Sequence, residues 1–282
     1  NDADSSCSGT LEIFNPASTT FVKHFISNID RVFGDSPIQA QDHAAGYANT
    51  TSAVNAVQFK FASGNIDSGK IKMYGIMAVV SNGTTLIDNG ALDSAVPVGS
   101  LVLLSTSTAS SSASISITSN INSTYDSYIF KFINIHPSRD DDDFAFNMSV
   151  DGGSNYNVTK TTSLFRAYHD ESGGSAVLTY QGNQDLAQST DFQQLTDNLG
   201  NGNDESMSGT LHLFNPSSTT FVKHFVCRTS GYYSGDTMFD YHIAGYGNTT
   251  SAVNAIKFQM QDDSNNARGD IDSGIIKLYG VK

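Results

Sequence analysis

Apolar and polar residues alternate along most of the chain, as they do in a β-strand that buries one face. In the peptide AVQFKF, the side chains of Val57, Phe59 and Phe61 share one face. Gln58 and Lys60 occupy the other face. The sequence therefore predicts a strand here, with Val57, Phe59 and Phe61 packed in the interior of a sheet protein.

The same period recurs in the peptides SASISITS, FAFNMSV and KIKMYG. The peptide YIFKFINI, which begins at Tyr128, is apolar on both faces except at Lys131 and is typical of a central strand. Clusters of Gly, Asn, Asp and Ser separate these segments at short intervals, and no stretch predicts a helix of three turns. The sequence therefore predicts an all-β protein, built as an antiparallel β-sandwich that is jelly-roll-like.

Three blocks of sequence occur twice. The peptide SGTLEIFNPASTTFVKHFI, which begins at Ser8, returns as SGTLHLFNPSSTTFVKHFV at Ser208. AGYANTTSAVNAVQF returns as AGYGNTTSAVNAIKF, and GNIDSGKIKMYGI returns as GDIDSGIIKLYGV. Repetition over this length indicates a duplicated structural unit rather than a binding motif used twice.

The repeat sets the expected domain organisation. Residues 1–76 are a half β-sandwich that repeats residues 201–282, residues 77–100 are a linker or N-terminal arm, and residues 101–282 are a complete β-sandwich. The chain is thus one complete unit plus a duplicated C-terminal half unit. Half a sandwich leaves unpaired strand edges and a bare apolar face. We therefore expect residues 1–76 to be completed by a missing first half, by a neighbouring chain, or by residues 77–200 in exchange.

The charge balance of the chain is strongly acidic. The chain has 28 Asp and Glu residues against 15 Lys and Arg residues, for a formal net charge of −13. Nucleic acids and anionic membranes are bound by clustered Lys and Arg, so neither is an expected partner. Cys7 and Cys227 align with Met207 and Ser27 of the other copy, so we expect two free thiols rather than a disulfide.

The sequence lacks the motifs of the common enzyme classes. Nucleotide-binding glycine loops, HExxH and GxSxG are absent. His24 and His224, in the repeated VKHF, are expected to pack on a strand rather than to act as catalysts. We predict no catalytic residues, no cofactor and no metal ligands, and hence a protein that is not an enzyme. A glycan-degrading enzyme would need two carboxylates facing each other across a groove, and their spacing is not readable from sequence.

Two features leave alternatives open. The run Asp140–Asp143, with Asp151 one strand further on, offers oxygen ligands for Ca²⁺ or forms a solvated acidic loop. The solvated loop is favoured, because the side chains of consecutive residues do not all face one ion. Tyr232, Tyr233 and Tyr241 are expected to be exposed in loops, where they line a carbohydrate site or a contact between subunits.

The peptides STYDSYIFKFINIHP, DGGSNYNVTKTTSLFRAYH, AGYGNTTSAVNAIKF and IDSGIIKLYGVK look like those of an uncharacterised protein family. The family is encoded by tailed bacteriophages of marine bacteria, cyanophages among them. The resemblance covers residues 77–282, and residues 1–76 are similar to the C-terminal half of the family's proteins. It implies a virion structural protein that decorates the capsid or forms a head or tail fibre. No site residue carries over from the family.

These observations define two functional hypotheses. The first is a non-enzymatic structural protein on the surface of a tailed-phage particle, which assembles with copies of itself, as a trimer, and with other virion proteins. A host-surface glycan is an optional further partner. The alternative is a lectin-like, carbohydrate-binding module for receptor binding, assisted by calcium.

Overall fold

A computed structural model describes residues 7–32, 39–73, 75, 101–233 and 235–281. Within these residues every helix or strand is a β-strand, and every strand pair is antiparallel. The all-β prediction is therefore confirmed. None of the described residues belongs to a helix long and apolar enough to cross a membrane. The predicted linker, residues 77–100, lies outside the described residues.

The strands range from 2 to 12 residues and are separated by turns rich in Asn, Asp, Ser and Gly. Asn15 and Asn215, in the repeated FNP turn, both have a positive φ, of 43° and 42°. In chain order the strands are β1 (Cys7–Ile13), β2 (Lys23–Val32), β3 (Gln39–Ala48), β4 (Leu101–Ser112), β5 (Ile115–Ile117), β6 (Ser127–Pro137), β7 (Asp143–Ser149), β8 (Lys160–Asp170), β9 (Ala176–Tyr180), β10 (Gln193–Gln194), β11 (Met207–Phe214), β12 (Lys223–Tyr233), β13 (Thr237–Gly247), β14 (Ala255–Gln261) and β15 (Ile271–Val281).

The described strands form three antiparallel sheets. The largest has eight strands in the order β4-β15-β6-β11-β12-β13-β8-β9, and a second has the order β10-β7-β14-β5. The third consists of β1, β2 and β3 alone. Strand β6 has neighbours on both sides in the largest sheet, as its two apolar faces predict. This arrangement of sheets is consistent with a β-sandwich.

The main core lies between the four-stranded and the eight-stranded sheet. The ring of Phe258, on β14, lies 5.6 Å from the ring of Phe130 and 5.2 Å from the ring of Phe132, both on β6. Phe144 and Phe146, on β7, contact the same ring from within its own sheet. All five side chains are fully buried. The alternation of apolar residues in β5, β7 and β14 thus marks the face that enters this core.

The strand predicted at Val57, Phe59 and Phe61 is not present. Residues 53–61 form no strand, and these three side chains are about half exposed, at 50%, 48% and 58%. The corresponding peptide of the repeat, at 255–261, is β14, which pairs with β5 on one side and β7 on the other. A strand needs a paired neighbour to satisfy its backbone groups. No described strand pairs with residues 53–61, and the prediction fails for that reason.

The repeated VKHF places one buried lysine in each copy. The ammonium of Lys223 donates hydrogen bonds to the carbonyls of Phe221, at 2.7 Å, and Thr249, at 3.1 Å. Lys23 makes the equivalent bonds to the carbonyls of Phe21 and Thr50. Both lysine side chains are buried. Each lysine therefore ties the start of a long strand to the loop that follows the next strand, a role that the sequence pattern does not reveal.

Replacing Lys223 with methionine is expected to lower the free energy of unfolding by about 2 kcal/mol, because two carbonyls lose their donor while the aliphatic volume is kept. Urea denaturation followed by circular dichroism measures the effect. Lys70, which is exposed, provides the matched control, and its replacement with methionine is expected to change the value by less than about 0.5 kcal/mol. Equal effects of the two substitutions would contradict the role assigned to Lys223.

Candidate assembly surface

One face of the three-stranded sheet lies on the outer face of the eight-stranded sheet. Strands β2 and β3 contact β12 and β13. The contacts are mostly polar. Glu12 forms an ion pair with Lys131, and the Tyr47 hydroxyl donates a hydrogen bond to Glu171. Two further hydrogen bonds join His24 Nε2 and Ser206 Oγ, at 3.2 Å, and Arg228 Nη1 and Asn28 Oδ1, at 2.6 Å. The rings of Tyr47 and Tyr232 are in contact, as are those of His43 and His242.

Two of these contacts join equivalent positions of the repeated sequence. Asn28 corresponds to Arg228, and His43 corresponds to His242. Asn28 also pairs with His43 across β2 and β3, as Arg228 pairs with His242 across β12 and β13. Contacts between equivalent positions are the pattern that a two-fold axis produces in a symmetric dimer. Strands β1 to β3 therefore face their counterparts, β11 to β13, as the same surface of two subunits would in a dimer.

The repeated histidine lies in two different environments. His24 is fully buried under the large sheet, and burial lowers the pKa of its imidazole to about 4. The imidazole of His24 is thus neutral at pH 7 and shares a hydrogen bond with Ser206. His224 is exposed. The prediction that both histidines pack on their strands holds for His24, whose hydrogen-bond partner is distant in the sequence rather than local, and does not hold for the exposed His224.

The opposite face of the three-stranded sheet is uncovered. Successive side chains of a strand point to opposite sides, so Phe25 and Ile29 point away from the large sheet when His24 and Asn28 point towards it. Leu11 is 40% exposed, and Ile29 is 37% exposed. Their counterparts Leu211 and Thr229 are fully buried in the main sandwich. The same sequence pattern therefore has a cover in one copy and none in the other.

Both edges of the three-stranded sheet are open as well. β1 and β3 have no further neighbour among the described strands, whereas β11 is flanked by β6 and β13 is flanked by β8. The segment 53–73 continues from β3 without a strand, and its large apolar side chains from Val57 onwards are exposed. We use the term open face for the exposed large apolar side chains of residues 7–73 taken together, which are Leu11, Ile29, Val57, Phe59, Phe61, Ile66, Ile71 and Met73, each more than a third exposed.

An open face of this size has physical consequences. Isolated apolar side chains on a surface are normal, but many in one segment of chain mark a site of interaction. Unpaired strand edges add backbone donors and acceptors that readily pair with another strand. The open face is therefore the strongest candidate for a functional surface in the described part of the chain.

No family model, no curated protein and no solved structure matches this chain. A function for the chain is therefore inferred from its own geometry.

A polar cleft at one end of the main sandwich is the second candidate. It encloses a volume of about 410 Å³ and is lined by Asp141, Asn198, Tyr233, Asp262, Asp263, Ser264 and Arg268. Beside it, carboxylate oxygens of Asp143, Asp197 and Asp263 lie within 4.8 Å of one another. This spacing is short enough for three carboxylates to bind one metal ion.

The buried members of this acidic group already have partners. Asp197 forms an ion pair with Arg166, which also donates a bond of 2.7 Å to the hydroxyl of Tyr241. Asp143 accepts hydrogen bonds from the side chain of Gln194 and from the backbone amide of Asn198, the latter at 2.8 Å. Burial raises the pKa of Asp143 to about 8, so its carboxyl group carries a proton at pH 7. The protein thus compensates these charges with its own groups.

The acidic run Asp140–Asp143 is only partly the solvated loop that its composition favours. Asp140 and Asp141 are exposed, but Asp142 and Asp143 are buried, because Asp143 begins β7. Asp142 lies 2.9 Å from the guanidinium of Arg268 and is not a member of the three-carboxylate group. Of the run, only Asp143 belongs to that group, and Asp151 does not. The structure therefore does not bring the predicted ligand set together.

The three tyrosines expected in exposed loops are separated by the fold. Tyr241 is fully buried in the core, and Tyr232 is buried beneath the ring of Tyr47. Tyr233 lines the polar cleft, where its hydroxyl accepts a bond of 3.2 Å from Asn198 Nδ2. Tyr232 thus makes a contact between two sheets, and only Tyr233 is placed to contact a ligand in the cleft. The prediction that all three are exposed is wrong.

Proposed function

We propose that this chain is a non-enzymatic structural protein of a tailed-phage particle, a capsid decoration or a head or tail fibre protein that acts by assembly. The observation that carries the proposal is the open face on residues 7–73. A surface of unpaired strand edges and exposed apolar side chains fits a protein whose working state is an assembly. The acidic net charge of −13 fits contact with proteins rather than with nucleic acid.

The proposal includes the finer architecture and the location. Residues 101–282 form one complete jelly-roll-like sandwich, and residues 1–76 are a duplicated C-terminal half unit joined by residues 77–100. The matching pairings of β1 with β2 and of β11 with β12 support the duplication, since Leu11 lies opposite Ser27 and Leu211 lies opposite Cys227. The chain works as a homo-oligomer, a trimer, on the surface of the particle and contacts other virion proteins there.

Mass spectrometry of purified particles, combined with size-exclusion chromatography of the recombinant chain, tests the proposal. Peptides of the chain are expected among the structural proteins of the particle, and the recombinant chain is expected to elute as an oligomer. A chain that elutes as a monomer and is missing from particles would overturn the proposal.

A carbohydrate-binding function is the second candidate, and the polar cleft favours it. Tyr233 offers an aromatic face, and Asp141, Asn198 and Asp263 offer the polar groups that sugar hydroxyls require. A glycan array with and without EDTA tests this function and its dependence on calcium. Glycan binding that is lost on replacing Tyr233 with alanine supports a carbohydrate site in the cleft. Absence of binding in either buffer contradicts the carbohydrate-binding function.

A further inference from the structure

The main sandwich shows what covers the counterpart of the open face. Strand β11, which corresponds to β1, pairs along one edge with β6, and β13, which corresponds to β3, pairs with β8. β14, which corresponds to residues 56–62, pairs with β7, and β15, which corresponds to residues 66–75, pairs with β4 and β6. These covering strands, together with β5, which pairs with the other edge of β14, all lie between residues 101 and 170. One contiguous segment thus supplies every neighbour that residues 7–73 lack.

The apolar side chains of that segment also match the open face. Phe130 and Phe132 of β6 and Phe144 and Phe146 of β7 surround Phe258, the counterpart of Phe59. Phe258 is fully buried, whereas Phe59 is 48% exposed. The side chain at this position therefore fits a pocket of aromatic rings that only a segment of this kind provides.

The segment that covers the open face does not come from another copy of the same chain. Among the described residues, each chain holds two regions that need this cover, residues 7–73 and residues 207–281, but only one covering segment, residues 101–170. A second copy that donates its segment would uncover its own main sandwich, so exchange between copies leaves the same number of open faces. The cover is therefore a further segment with the strand set of residues 101–170, which the described residues contain only once.

We propose that residues 7–73 are an acceptor that completes a second β-sandwich by taking strands from another polypeptide that carries a segment similar to residues 101–170. The inference rests on the proposed assembly function and names the partner for its surface. Backbone hydrogen bonds along β1 and along residues 56–62 supply affinity, as in other complexes formed by strand addition, and alternate aromatic side chains supply specificity. Residue Phe59 is the central anchor, and Gln58, its neighbour, points out of the new core.

A synthetic peptide of residues 127–149, which spans β6 and β7, is the probe. It is labelled at its N-terminus and titrated into the full chain, and fluorescence anisotropy measures binding. Saturable binding to the full chain is expected, and replacing Phe59 with aspartate is expected to weaken it about tenfold or more, because a charge enters an aromatic pocket. Replacing Gln58 with aspartate adds the same charge on the opposite face and is expected to leave binding within about twofold.

Hydrogen exchange of the full chain with and without the peptide locates the binding. New protection is expected in residues 7–13 and 56–62. Protection confined to residues 101–282 means that the peptide only replaces β6 and β7 of the main sandwich, and this result overturns the inference. Absence of binding, or equal binding by the Phe59→Asp and Gln58→Asp variants, overturns it as well. If the peptide binds as predicted but the chain is missing from particles, the result contradicts the proposed function and leaves this inference standing.

Discussion

Replacing Phe258 with alanine is expected to lower the free energy of unfolding by about 3–5 kcal/mol, the range found when a buried phenylalanine is truncated. The side chain is fully buried, and its ring is surrounded by the rings of Phe130, Phe132, Phe144 and Phe146. Truncation removes the apolar contacts and leaves a cavity between two rigid sheets that do not collapse to fill it. Urea denaturation of the full chain, followed by circular dichroism, measures the effect.

Phe59 gives a control that few proteins offer. It holds the same position in the repeated sequence, but it is half exposed and lies in no strand. Replacing Phe59 with alanine is therefore expected to cost less than about 1 kcal/mol in the same experiment. A loss of several kcal/mol for both variants would show that residues 53–61 are already packed in a second core, and it would remove the basis for an open face.

The paired phenylalanines also show what the sequence alone can predict. The alternation in β5, β7 and β14 identifies the core face of each strand, because a side chain on a paired strand must point to one side or the other. The alternation at Val57, Phe59 and Phe61 is just as clear, and yet no strand forms there. A pattern specifies which face a strand would bury, but pairing decides whether the strand exists. That second condition depends on chain segments far away in the sequence.

The prediction that the four aspartates form a solvated loop is partly wrong for a related reason. Four consecutive aspartates are typical of a solvated loop, and Asp140 and Asp141 agree with this expectation. Asp143 instead begins β7, and its polar face is covered by residues 194–198, through the bonds from Gln194 and Asn198. This cover comes from a segment without regular alternation. The burial of lysines such as Lys223 is not predictable from the sequence either, because their hydrogen-bond partners are backbone carbonyls, which every residue carries.

The stacking of the three-stranded sheet on the large sheet is not predictable from hydrophobic pattern at all. Its contacts are made by side chains such as Asn28, Arg228 and His43, which lie on the faces that the pattern marks as outward. An outward face looks the same in sequence whether it meets water or another polar surface. The sequence does indicate that residues 7–73 need a partner, and the structure adds that the large sheet covers the polar face while the apolar face stays open.

The pH dependence of stability is expected to change most when Asp143 is replaced with asparagine. Burial raises the pKa of Asp143 to about 8 in the folded chain, whereas an unfolded aspartate titrates near its ordinary value of about 3.8. Between these two values the folded state holds a proton that the unfolded state has lost. The free energy of unfolding therefore falls as pH rises, by up to about 1.4 kcal/mol per pH unit for this group. The stability that the protonated carboxyl contributes is fully present below a pH of about 3.8.

Asparagine keeps the shape of the protonated carboxyl group and does not titrate. From pH 5 to pH 7.5 the Asp143→Asn variant is expected to gain about 3 kcal/mol relative to the unmodified chain, by the slope for one proton. Asp142, whose pKa burial raises to about 6, and Lys160, whose pKa burial lowers to about 7, titrate in both proteins and cancel in the difference. Urea titrations at several pH values in EDTA measure this difference in the free energy of unfolding. The Asp263→Asn variant is the control, because it removes an exposed charge from the same group of three carboxylates. Stability curves that run parallel across this range would mean that Asp143 is ionised in the folded chain at these pH values and that burial does not raise its pKa to about 8.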